Sequence, residues 1–115
     1  MMAKLPESTT SVLVRGETWQ GAFASEPYEA GWAREAVIFV RLLKLEGDPG
    51  SAEVSVDISP DGMHWAEEGA RIQVPLEIGE VTFAKVAHFG NWLRVSGRMP
   101  EGTSAQALVT VHLKA

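Results

Sequence analysis

The densest chemistry in the chain lies in Asp57-Ile-Ser59-Pro-Asp61-Gly62, with Glu68 following. These residues fit D-x-S-x-D-G-x5-E, the oxygen-ligand order of a helix-loop-helix calcium loop, in which Gly makes the sharp turn and the final Glu a bidentate carboxylate. Such a loop needs a helix on each side. Here both flanks alternate instead: Val54, Val56 and Ile58 against Ser55, Asp57 and Ser59 before it, Met63 and Trp65 after it. The usually apolar eighth position is His64, and Pro60 stiffens the loop. The stretch therefore reads as strand, tight turn, strand. Pro60 presets φ, Asp61 can bond its own backbone, and Gly62 is free to take φ > 0.

Other residues with catalytic or ligating potential are dispersed. His64, His88 and His112 have no second histidine at a helical ligand spacing, and the chain has no cysteine. Its serines lie in no G-x-S-x-G elbow, and no glycine stretch has a nucleotide-binding order. Glu67, Glu68, Glu77, Glu80 and Glu101 sit beside turns, where carboxylates are ordinarily solvated. The expectation is a protein without catalytic residues, metal or cofactor. Aromatic side chains are better raw material, since Trp and Tyr stack on sugar rings and fill partner pockets. Trp65 and Trp92 read as core or sheet-edge residues. Trp19, Tyr28 and Trp32 are the candidates for contact with a partner or a glycan, the last two in the polar, turn-rich stretch 26–32.

Composition narrows the class of protein. At 115 residues the chain is one domain's worth, able to bury roughly 65% of its unfolded surface. Hydrophobic residues make up 45% and charged residues 22%, ordinary globular usage. Net charge is −5, and the arginines stand singly, which disfavours a nucleic-acid partner because that footprint needs clustered positive charge. No window approaches the ~18 apolar residues of a spanning helix, so no membrane partner is expected. The first ten residues lack the apolar core of a signal peptide.

The elements that would position these residues are strands. Residues 1–9 read as a flexible N-terminal arm, and residues 10–115 as a single β-sandwich domain. Strands are expected at 10–15, 17–24, 35–46, 52–59, 63–67, 70–74, 80–88, 91–97 and 105–114. Turn signals separate them, among them Arg15-Gly16, Pro60-Asp-Gly62 and Ile78-Gly79. Residues 37–45 are apolar on both faces, as in a central strand covered on both sides, by the second sheet or by a partner subunit. A helix over 30–45 is the rival, but Val37-Ile-Phe-Val40 favours strand. Ala107, Val109, Val111 and Leu113 alternate almost to the C-terminus; at an edge, so long a strand would invite another chain. The fold class is an all-β antiparallel sandwich of seven to nine strands, jelly-roll or immunoglobulin-like.

The order of these elements resembles a group of small β-sandwich structural proteins from tailed phages and prophages. Pro27-Tyr-Glu-Ala-Gly-Trp-Ala-Arg-Glu35, Leu45-Glu-Gly-Asp-Pro-Gly50, Val54 to Trp65 and Phe89-Gly-Asn-Trp-Leu-Arg-Val95 carry the resemblance, which spans residues 17–114. Its most specific parts are the S-P-D-G-x-x-W turn and the F-G-x-W-L-R-V strand, both packing signatures. The resemblance implies a virion-associated subunit, of head decoration, neck or tail accessory type. It would act through protein–protein contacts, as a homo-oligomer or on a capsid or tail lattice. The alternative is a carbohydrate-binding module with Trp19, Tyr28 and Trp32 as its stacking platform. Outside that resemblance the expected location is cytoplasmic or undefined.

Overall fold

The computed structural model describes residues 8–115, and every regular element in them is a strand. In chain order these are β1 (Ser8–Gln20), β2 (Ala22–Ala24), β3 (Tyr28–Glu29), β4 (Glu35–Glu46), β5 (Glu53–Ser59), β6 (Ala66–Gln73), β7 (Val81–Ala87), β8 (Trp92–Arg98) and β9 (Ser104–Lys114). One sheet has the order β1-β9-β4-β7, the other β2-β8-β5-β6, with β3 also paired to β8. All pairs are antiparallel.

The pairing is nested. β5 pairs with β6, β4 with β7, β2 and β3 with β8, and β1 with β9, each pair enclosing the one before it. Treating β2 and β3 as one interrupted strand, this is a long hairpin rolled into two facing sheets, the jelly roll. Strand order thereby separates the two kinds of sandwich expected. The turn at residues 60–65 is the tip of that hairpin.

The core follows from period-two alternation. Ile38, Val40 and Leu42 of β4 and Ala107, Val109, Val111 and Leu113 of β9 are fully buried from one sheet. Val54 and Val56 of β5 with Leu93 and Val95 of β8 meet them from the other. Among the described residues, no buried side-chain polar atom lacks a hydrogen-bond partner.

Several local expectations are corrected. Gly16 does not end a strand: β1 runs through it, and register shifts at Val12/Val14 and Arg15/Thr18 absorb the extra residues as bulges, the role an isolated strand glycine serves. The reversal comes instead at Gly21. Met63 and Trp65 lie in the turn, and the strands expected at 63–67 and 70–74 are one strand, β6, broken by a shift near Gly69 at φ 112°. Strand β4 replaces the rival helix. Its outer residues Val37 and Phe39 are only half-buried, and among the described residues no element covers that face. Strand β9 lies between β1 and β4, so it offers no edge. Of the expected arm, residues 1–7 lie outside the described residues; Ser8 and Thr9 already pair with Lys114 and Leu113.

Candidate functional site

Trp19, Tyr28 and Trp32 have three different surroundings. Trp19 is 3% exposed and lies flat on Phe23, ring centroids 4.2 Å apart and planes 9° from parallel. Tyr28 is half-buried against the core, with its hydroxyl 2.6 Å from Ser11 Oγ. Trp32, between β3 and β4, is 41% exposed. Of the three, only Trp32 presents a large open surface, so no three-ring stacking platform is assembled.

The calcium-like order is dispersed by the fold. Asp57, 4% exposed on the outer side of β5, accepts hydrogen bonds from Arg94 Nε at 2.9 Å and Ser96 Oγ at 2.6 Å. Asp61 turns inward on its own loop. Its Oδ1 accepts the backbone N–H groups of Met63 at 2.9 Å and His64 at 2.8 Å, and its Oδ2 lies 2.6 Å from His64 Nδ1. The backbone N–H of His64, then that of Met63, then the His64 ring hold the Asp61 carboxyl well below the usual carboxylate range. Ser59 Oγ closes the turn by accepting from the Asp61 and Gly62 N–H groups. Both flanks are strands, so the aspartates act as a buried ion-pair acceptor and a turn acceptor. His112 bridges Thr10 and Thr110, and among the described residues no three His, Asp or Glu side chains gather at a metal-sized site.

The two most specific sequence motifs pack on each other. A Cβ at Gly62, whose φ is 79°, would sit 3.2 Å from the Trp92 ring, so the S-P-D-G turn lies directly on the strand that begins F-G-N-W. Arg94, from the same strand, stacks over Trp65 with Cζ 4.4 Å from the ring centroid while holding Asp57. This polar layer closes the outer side of the β5–β8 sheet.

The outer face of the β4–β7 sheet is different. Cross-strand register places Phe83 opposite Phe39 and Val81 opposite Arg41, with Lys85 opposite Val37. The two phenylalanine rings are 5.8 Å apart, and Phe39 also meets the His112 ring edge-on at 5.0 Å. Phe83 is 55% and Val81 50% exposed; Leu76 and Ile78, in the loop leading into β7, are exposed as well. The β4 part of this apolar face was expected from residues 37–45; the β7 part was not. Its signal was present in β7, where apolar residues occupy both parities: Val81 and Phe83 on one, Ala84 and Val86 on the other. At the opposite end from the hairpin tip, Asp48, Arg98 and Glu101 border a shallow open hollow of about 900 Å³, formed mostly by turn residues.

No protein-family model matches the chain, and no curated protein does. Among solved structures, the crystal structure of the SPBc2 prophage-derived protein YomS is similar: TM-score 0.64, covering 100% of this chain and 99% of that one, at 10% sequence identity. At that identity the likeness is one of fold along the whole length.

Proposed function

We propose that this chain is a non-enzymatic assembly subunit of a phage-type particle, working through protein–protein contacts with copies of itself or with a capsid or tail lattice. The observation that carries the reading is the apolar face of β4 and β7, where Phe83 and Val81 stand about half exposed beside Phe39. Apolar surface gathered on one sheet face of a folded protein marks a contact site. Two facts agree with it: the structural neighbour is prophage-derived, and jelly rolls recur in viral capsid domains. The position on the particle, whether head decoration, neck or tail accessory, belongs to the same proposal.

The test is particle composition. Particles banded on a density gradient from cells encoding this chain should contain it in stoichiometric amount by quantitative peptide mass spectrometry. Its absence from every banded particle overturns the reading. The glycan alternative rests on Trp32 alone, and unchanged tryptophan emission across a polysaccharide panel disposes of it.

A further inference from the structure

We infer that β7 is a self-pairing edge through which two copies join their sheets; this deepens the assembly reading and rests on it. Edge strands expose unpaired backbone groups, and proteins blunt them with bulges, short length, proline or charge. The other edges here are blunted. β1 has two register shifts, β2 and β3 are three and two residues long, and β6 is broken near Gly69. β7 runs seven residues without proline, in unbroken register with β4 from Val81↔Arg41 to Ala87↔Glu35.

The direction of its free groups follows from the bonds at both ends of the β4–β7 ladder. Leu42 N–H donates to Glu80 O at 3.1 Å, and His88 N–H to Arg34 O at 3.0 Å. Hydrogen-bonded residues alternate along an antiparallel pair. Thr82, Ala84 and Val86 therefore bond to β4, while Val81, Phe83, Lys85 and Ala87 turn their N–H and C=O groups outward. All four outward residues are exposed. The second sheet meets β7 on its inner side, where Thr82 Oγ1 donates to Gln73 O at 2.7 Å.

A second copy fits this edge along its whole length. With the two-fold axis through Ala84, Val81 faces Ala87 of the second copy and Phe83 faces its Lys85. Each such pair exchanges two bonds, about eight in all. Phe83 gains the stem and ammonium of Lys85, a favourable cross-strand partner. Just beyond, Glu80 faces His88 of the second copy, and no like charges oppose one another. The two four-stranded sheets become one of eight, with both Phe39–Phe83 pairs on a continuous outer face.

Light scattering after size exclusion, over a concentration series, should give a dimer mass. Phe83→Lys sets lysine against lysine twice and should weaken association by about tenfold or more; adding Lys85→Glu should restore it. In this cysteine-free chain, Ala84→Cys should oxidise to a covalent dimer, because non-hydrogen-bonded partners lie about 4.5 Å apart at Cα, within disulfide reach. Phe83→Cys alone should not. Circular dichroism checks that each variant is folded. A folded wild-type chain that is monomeric at every concentration overturns the inference. So does a dimer that survives Phe83→Lys and gives no Ala84→Cys cross-link. In either case the chain's presence in banded particles leaves the assembly reading standing.

Discussion

Asp61 and Asp57 share a sequence motif but differ in their physics. Asp61 has a depressed carboxyl pKa because the folded turn donates to its ionised form. Its contribution to stability is therefore present above the ordinary carboxylate pKa and is lost as pH falls toward the folded value. Asp61→Asn should flatten that acid limb, measured as thermal midpoint from pH 5 downward. Asp57 is a buried charge held by Arg94 and Ser96. Arg94→Met would leave it with one donor, and an unpaired buried charge costs about 3–5 kcal/mol. Urea denaturation should show a loss in that range, and Asp57→Asn in the Arg94→Met background should recover part of it. The turn role of Asp61 was legible because Pro-Asp-Gly chemistry is local. The role of Asp57 was not, since Arg94 lies 37 positions away and reaches it only across a strand pair.

Among the elements, close approaches decide what a substitution costs. A Cβ on Gly97 of β8 would fall 2.8 Å from Phe23 Cζ and 2.9 Å from Glu53 O, so β2, β5 and β8 close together there only over a glycine. Gly97→Ala should cost about 1–3 kcal/mol by overpacking, read from denaturation midpoints. Trp19→Ala, which removes the ring stacked on Phe23, should cost about 3–5 kcal/mol. β4 could be read to the residue although both its faces carry apolar side chains, because Val37-Ile-Phe-Val40 is a strand-forming run and turn residues follow at Gly47-Asp-Pro-Gly50. Gly16 misled because a bulge and a turn ask the same thing of glycine, namely backbone freedom. Only a pairing strand shows which is formed.

At the scale of the molecule, nesting brings Ser8 to Lys114 and makes most strand pairs distant in sequence. Loop closure must precede the gain from such contacts, so refolding followed by tryptophan fluorescence should take milliseconds to seconds rather than microseconds. Alternation, turn residues and composition by themselves determined an all-β sandwich, its turn at residues 60–62 and the alternation of its core, since each depends on neighbours a few positions apart. Tertiary structure alone decided the rest. It chose the jelly roll, buried Trp19, placed β9 in the middle of its sheet, and left β7 at an edge with Val81 and Phe83 outward. Those outcomes depend on which strand lies beside which. A strand carries the same side-chain pattern whether its hydrogen-bonding edge meets a neighbouring strand, a partner or water.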